Sequence, residues 1–359
     1  MSSAFDRAAA SVRPLDAAAV AEAVVHQDRL TKPHGALGRL EIVGIHLSGI
    51  AGVCPPPIPV PAAVVVFAAD HGVVAEGVTP WRREVTAQMV ANFVAGGAAI
   101  NVLARTAGAT VTVVDVGVAT PLPAVPADAP RLVRRPIRAG TGNIAVEAAM
   151  TTDECRAAMD VGAGMAASAV AEGAKALVTG EMGIGNTTAA AAVIAAVSGR
   201  RAAAVTGRGT GIDTIGLARK VAVVERALER HEAAIAAGPL ATLAAVGGLE
   251  IAALTGFVVG GAAAGVPVVV DGVIADAALL VAERMVPGVA RRCIAGHRSV
   301  EPGAAVVLEI LGMEPLLDLG MRLGEGSGAC LALPVIEAAA RIMSEMATFD
   351  AAGVTNKDG

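Results

Sequence analysis

Tyrosine is absent from this chain, and among its 359 residues tryptophan occurs once and phenylalanine five times. Proteins that grip single-stranded nucleic acid stack bases on aromatic rings and line the path with basic residues. Here the rings are missing, no basic block appears and the net charge is −5, so no nucleic-acid partner is expected. Cysteine is also sparse. Cys54, Cys155, Cys293 and Cys330 show no C-x-x-C or histidine spacing, which argues against a zinc site or a disulfide framework and fits a reducing compartment. The six histidines are dispersed, so no metal site is read. Residues 1–14 carry Asp6, Arg7 and Arg13 without an apolar stretch, and no signal peptide is expected. One uncharged run, 251–270, has the 20 residues a membrane span needs. It is mostly alanine and glycine and is broken by Gly265-Val266-Pro267, so it reads as a buried helix followed by a strand. The expectation is a soluble, cytoplasmic protein with no membrane partner.

What is abundant is small and aliphatic. Hydrophobic residues make up 54% of the chain, much of it alanine. The core must be built from Ala, Val, Leu and Ile, with helices packed closely. A short apolar run followed by a polar loop and then a helix recurs. Val64-Val65-Val66-Phe67-Ala68 leads to Asp70-His71-Gly72, and residues 111–114 lead to Asp115-Val116-Gly117. Ala176-Leu177-Val178-Thr179 leads to Gly180-Glu181, Val268-Val269-Val270 to Asp271-Gly272, and Cys293-Ile294-Ala295 to Gly296-His297. Uninterrupted apolar strands alternating with helices predict an α/β fold whose mostly parallel sheet is covered on both faces. Ligands of such sheets bind beyond the carboxyl ends of the strands, where all five polar loops fall. Residues 1–50 read as mainly helical, 51–328 as the large α/β domain, and 329–359 as a last helix and tail. The two ends are expected to pack together as a small subdomain at the edge of the sheet.

Several loops carry chemistry. Gly324-Glu325-Gly326-Ser327-Gly328 sets one carboxylate between glycines directly before a long apolar helical pattern, 329–346. Glycine lets a backbone approach a ligand closely, although a mobile surface Glu alone explains one such residue equally well. Gly180-Glu181-Met182-Gly183-Ile184-Gly185-Asn186-Thr187-Thr188 precedes an alanine-rich helix. Its amides suit a phosphate or another anion, or else Asn186 or Thr187 simply caps the helix. No Gly-Lys-[Ser/Thr] follows, so it is not a Walker A loop. A second loop, Thr206 to Asp213, precedes a helix bearing Lys220. Only four lysines occur (Lys32, Lys175, Lys220 and Lys357), so Lys220 is either a point charge for phosphate or an ordinary solvated lysine. Gly162-Ala163-Gly164-Met165-Ala166-Ala167 matches a dinucleotide fingerprint but lies within a helical run and is set aside. Ser299 in Gly296-His297-Arg298-Ser299-Val300-Glu301-Pro302-Gly303 caps the helix toward Leu311, contacts an anion, or does both. In the loop from Asp70 to Trp81, the single tryptophan either joins the core or walls a pocket for a flat ring. Gln88 follows one turn into the next helix.

Together these segments resemble the nicotinate-nucleotide–dimethylbenzimidazole phosphoribosyltransferase family. The resemblance runs in order from residue 29 to about 350. It is carried by Lys32-Pro33-His34-Gly35-Ala36-Leu37-Gly38-Arg39-Leu40-Glu41, Asp70-His71-Gly72-Val73 through Gln88-Met89-Val90, and Asn92 to Asn101. It continues through Gly140-Thr141-Gly142-Asn143-Ile144, Glu181 to Thr188, Gly207 to Asp213, Asp271-Gly272, Gly296 to Gly303 and Arg322 to Gly328. It implies a Rossmann-like parallel sheet, a small helical subdomain from both chain ends, and a homodimer whose partner helps close the site. It implies transfer of phosphoribose from nicotinate mononucleotide to 5,6-dimethylbenzimidazole, giving α-ribazole 5′-phosphate and nicotinate, with no cofactor and no metal. By the motif match Glu325 is the general base. Thr79, Pro80, Trp81, Gln88 and Leu323 fall on the benzimidazole pocket, with 79–82 a stretch that varies in the family. Glu181, Gly183, Lys220, Gly272 and Ser299 fall on the phosphoribosyl and nicotinate side, and Gly185, Asn186, Asp271 and Gly324 are counted with the substrate-binding residues.

The chemistry suits these residues. Nicotinate on ribose is a pyridinium and leaves with a neutral ring nitrogen, so no general acid is needed. The azole attacks C1′ through one nitrogen while its other N–H loses a proton, so one carboxylate base is enough. Attack opposite the leaving ring turns a β-nucleotide into an α-product. Two other readings compete: a non-catalytic nucleotide-sensing module that kept the loops, and an NAD(P)-dependent oxidoreductase. The retained Glu325 weighs against the first and the lack of a placed fingerprint against the second.

Overall fold

The structure is a computed structural model, and it describes residues 2–122 and 132–355; Lys357 and the rest of the last four residues of the expected tail lie outside the described residues. Six strands form one parallel sheet: β1 (Ala62–Ala69), β2 (Thr110–Gly117), β3 (Leu132–Arg134), β4 (Ala176–Met182), β5 (Val268–Asp271) and β6 (Cys293–His297). Their order is β3-β2-β1-β4-β5-β6. The chain builds outward from β1 on one side, then returns to start β4 on the other, so the winding reverses between β1 and β4. That reversal opens a crevice at the carboxyl ends of the strands. Five of the strands are the apolar runs read from the sequence. β3 was not expected, because three residues between arginines at a sheet edge leave no apolar run to see.

Every residue of β1 is buried, as a central strand covered on both faces requires. On one face lie the helices Thr152–Ala171, Asn186–Ser198, Leu249–Ala263 and Gly272–Met285. On the other lie Arg39–Ala51, Glu84–Val94, Ala99–Thr106 and Ser327–Glu345. The 251–270 run resolves into the buried helix Leu249–Ala263 followed by β5. By length and composition Ser327–Glu345 and the stretch Glu84–Thr106 are apolar enough to cross a membrane. Here Ser327–Glu345 lays Ala329, Ala332, Leu333 and Ile336 in the core beneath the sheet.

Small side chains let the helices touch. A Cβ on Gly162 would lie 1.8 Å from the Ala253 carbonyl oxygen, and one on Gly256 would lie 1.9 Å from that of Met159. Thr152–Ala171 and Leu249–Ala263 therefore meet backbone to backbone. Gly256→Val is expected to cost about 3 kcal/mol, because neither backbone can yield without shifting a whole helix. Gly164, on the same helix as Gly162, has nothing within 4 Å of an added Cβ. Gly164→Ala is expected to gain about 0.5–1 kcal/mol. Urea midpoints of the two variants check both signs.

At the chain ends, Ala17–Arg29 packs on Arg39–Ala51, which packs on Ser327–Glu345. His26 Nε2 bonds the Met343 carbonyl at 2.7 Å, and the Thr31 N–H donates to the Ala347 carbonyl at 3.0 Å. The first helix, Ala4–Ser11, goes to the opposite face, where the Phe5 N–H donates to Asp160 Oδ1 at 2.8 Å.

Candidate active site

A cavity of about 340 Å3 opens at the carboxyl ends of β4, β5 and β6. Glu181 is the sixth residue of β4, and Gly183 follows the strand closely against β1: a Cβ there would lie 2.4 Å from the Ala69 carbonyl oxygen. The helix Asn186–Ser198 has Gly185 at its N-cap, with φ 95°. The capping alternative therefore fails for Asn186 and Thr187, which lie inside the helix. The Asn186 amide instead donates to Glu181 Oε2.

The loop 324–328 lies directly on the strand ends. A Cβ on Gly324 would stand 2.2 Å from Glu181 Oε1, and one on Gly326 would stand 2.6 Å from the Thr179 carbonyl oxygen. The Gly328 N–H donates to Asp271 Oδ2 at 2.7 Å. These glycines thus serve close approach to the protein's own sheet. Between them Glu325 has φ 63°, the only non-glycine residue with positive φ among the described residues. A carboxylate side chain held in the left-handed region costs free energy that the fold must offset, a pattern concentrated at functional sites.

Glu325 lines the cavity and is 5% exposed. Its Oε2 accepts the Ile100 N–H at 3.2 Å, at the start of Ala99–Thr106, and its own N–H donates to Glu181 Oε1 at 3.3 Å. Burial raises the Glu325 carboxyl above the usual range, and the Ile100 N–H opposes the rise. Glu181 is pushed up to about 8, first by burial, then by the charge of Glu250, with Glu325 adding to the repulsion. Two hydrogen bonds to Glu181 oppose the shift. Neighbouring carboxyls in one dry site separate in this way: one ionises first and the other keeps its proton.

The stability consequence has a definite sign. An acid whose folded pKa is raised favours the folded state most at low pH. Its contribution is lost as pH climbs from the unfolded value near 4.5 to the folded value of about 8. Glu181→Gln is therefore expected to raise the thermal midpoint relative to the unaltered protein above pH 8, with the gain shrinking toward pH 4.5. Thermal scans across that range check it.

Trp81, Val85, Met89, Met182, Met321 and Leu323 make the apolar wall. The polar side is built by Thr187, Thr210, Ser299, Glu301 and Arg322. The N-cap of the helix Pro302–Leu311 is Glu301, so Ser299 does not cap it; its hydroxyl accepts the Glu301 N–H at 3.3 Å. Glu301 Oε1 in turn accepts the Gly209 N–H at 2.8 Å, fixing the 206–213 loop.

Of the residues singled out in the sequence, the cavity gathers Trp81, Glu181, Gly183, Asn186, Asp271, Gly272, Ser299, Leu323, Gly324 and Glu325. Thr79, Pro80, Gln88, Gly185 and Lys220 are not in its lining. Pro80 and Gln88 line a neighbouring shallow cleft that shares Trp81 and Val85 with the cavity, and Thr79 Oγ1 accepts the Trp81 N–H at 3.2 Å. Lys220 stands one layer behind the polar wall. It is 1% exposed, and its Nζ donates to Thr187 Oγ1 at 2.8 Å and to the Gly207 carbonyl at 3.1 Å. Burial lowers its pKa to about 8 against the pull of Glu301. Val85 and Met89 were not singled out, although their i, i+4 spacing marks one helix face.

Comparison with known proteins gives one answer. A family model described as phosphoribosyltransferase matches residues 12–354. The nicotinate-nucleotide–dimethylbenzimidazole phosphoribosyltransferase of Salinispora tropica is 56% identical, covering 98% of this chain and 100% of that protein. The protein of the same name from Chloroflexus aurantiacus is 54% identical, covering 96% of this chain and 97% of its own length. The crystal structure of that enzyme from Thermus thermophilus superposes with a TM-score of 0.89 at 49% identity, covering 95% of this chain and all of that one. A parallel sheet wound about β1 and β4, a cavity at its mouth lined by Glu181 and Glu325 among its acids, and full-length kinship agree: the chain belongs to the nicotinate-nucleotide–dimethylbenzimidazole phosphoribosyltransferases, pentosyl-transferring enzymes of cobalamin synthesis.

Proposed function

We propose that the chain transfers the phosphoribosyl group of nicotinate mononucleotide to 5,6-dimethylbenzimidazole, with inversion at C1′ and Glu325 as general base. One observation carries the reading: among the described residues Glu325 is the single side chain held in a left-handed backbone, and it is buried at the cavity beside Glu181. Burial raises the Glu325 carboxyl above its usual range, which makes the carboxylate a stronger base, and the Ile100 N–H opposes the rise. The apolar wall of Trp81, Val85, Met89 and Leu323 suits a flat methylated ring. On the polar side Thr187, Gly209 and Thr210, with Lys220 behind them, suit the phosphate.

In this mechanism the azole N–H gives its proton to Glu325 as the other ring nitrogen attacks C1′. Nicotinate leaves from the opposite face, the electrons of its bond to C1′ returning to a now neutral ring nitrogen. The positive charge that develops on the ribose is favoured by Glu181 and by the substrate's own phosphate. Most of the acceleration comes from positioning, and the base contributes roughly 10²–10⁴-fold. The apolar residues exposed at the mouth, Trp81 and Leu323, support a second copy of the chain closing the site. The reading places the enzyme in the cytoplasm. Incubation with both substrates tests it: stoichiometric nicotinate and an α-configured nucleotide are expected. A β-configured product, or no nicotinate release, contradicts it.

A further inference from the structure

Behind the cavity lies a buried pair that the mechanism has not used. His71 follows β1, and Glu250 is the second residue of the helix Leu249–Ala263. His71 is 1% exposed and Glu250 0%, and His71 Nε2 bonds Glu250 Oε1 at 2.7 Å. Two glycines make room for them. A Cβ on Gly248 would lie 2.5 Å from His71 Cε1 and 2.7 Å from Glu250 Oε2, and one on Gly183 would lie 3.2 Å from His71 Nε2. Gly183 itself lines the cavity, so only a backbone separates the imidazole from the space the substrate enters. The second Glu250 oxygen, Oε2, is buried with no hydrogen-bond partner.

A fully buried carboxylate is costly unless paired and hydrogen-bonded, and here His71 meets only one of its two oxygens. We propose that Glu250, oriented by His71, is a positioning residue for the transfer: it acts through Glu181, setting the charge that the pyridinium ring and the ribose of the substrate meet. This rests on the phosphoribosyl-transfer reading of the same cavity. Glu181 is faced by Glu325 from the 324–328 loop and by Asn186 from its own following helix, and it stands two residues before Gly183, against which His71 of the pair packs. Of these, Glu250 is the charge with no contact to the cavity. Its charge adds to burial in raising Glu181 in the empty site, and the positive pyridinium nitrogen of the substrate favours release of that proton. Glu181 then faces the developing ribosyl cation as an anion.

The test is the pH profile of kcat/KM for nicotinate release. Glu250→Gln keeps the shape and the contact with His71 but removes the charge. The acid-side midpoint is expected to move down by half a pH unit or more, so that on the rising limb the activity relative to plateau increases about threefold. Glu250→Asp, which keeps the charge, is expected to leave the midpoint near that of the unaltered protein, and serves if Glu250→Gln does not fold. In a Glu181→Gln background, adding Glu250→Gln is expected to leave the profile unmoved. A purely structural pair would lower kcat in each variant with the midpoint fixed. Coincident midpoints for the unaltered protein and Glu250→Gln, or a displaced midpoint for Glu250→Asp, would overturn the inference while the transfer reading stands. So would a shift that survives in the Glu181→Gln background. Absence of nicotinate release from the unaltered protein would overturn the transfer reading and this inference together.

Discussion

Glu325→Gln is expected to fold, bind nicotinate mononucleotide with little change in KM, and lose roughly 10²–10⁴-fold in kcat. The amide keeps the volume of the side chain and can still accept the Ile100 N–H that the carboxylate accepts at 3.2 Å. What it cannot do is take the azole proton. A companion variant separates chemistry from strain. Glu325 sits at φ 63°, where an L-residue costs about 1–2 kcal/mol and glycine costs little. Glu325→Gly should therefore abolish turnover while holding stability or gaining up to about 1 kcal/mol. A strained residue that is dispensable for folding is one kept for another purpose. Denaturation and steady-state kinetics on the two variants check this, and a Glu325→Gly protein much less stable than the original would recast Glu325 as a structural residue.

Gly324→Ala is expected to carry the second-largest loss, about 100-fold in turnover. Gly324 has φ 85°, and an added Cβ would sit 2.2 Å from Glu181 Oε1. The loop must lift from β4, taking Glu325 with it, and an ångström of misplacement at a reacting atom is worth that factor. Gly320 supplies the control. It also has positive φ, 66°, but nothing lies within 4 Å of an added Cβ. Gly320→Ala should cost about 1–2 kcal/mol of stability and leave turnover near normal. Equal turnover losses in the two variants would mean that backbone strain, rather than contact with Glu181, sets the effect.

The parallel sheet was legible because its strands are unbroken apolar runs with polar loops at their ends, a pattern that burial on both faces imposes. β3 escaped because an edge strand of three residues between arginines carries no such run. Glu325 was legible through its glycines, although those glycines contact Thr179, Glu181 and Asp271 of the sheet. Gln88 was singled out by the motif match, whereas the helix turns Val85 and Met89 into the cavity wall. An apolar residue on an apolar helix offers no contrast, so periodicity alone had to reveal it. Glu250 was illegible for the opposite reason. A single acid before a long apolar run reads as the polar start of a helix, and only the fold brings it to His71. Lys220 stood out as one of few lysines, but its place behind Thr187 depends on how the 206–213 loop folds over Glu301.

The most direct measurement is a crystal structure with nicotinate mononucleotide and an azole bound. The azole N–H is expected at about 3 Å from a Glu325 carboxylate oxygen, with the other ring nitrogen facing C1′ from the side opposite nicotinate. An azole seated elsewhere, or one whose N–H is met by a different group while Glu325 keeps only its bond to Ile100, would contradict the account.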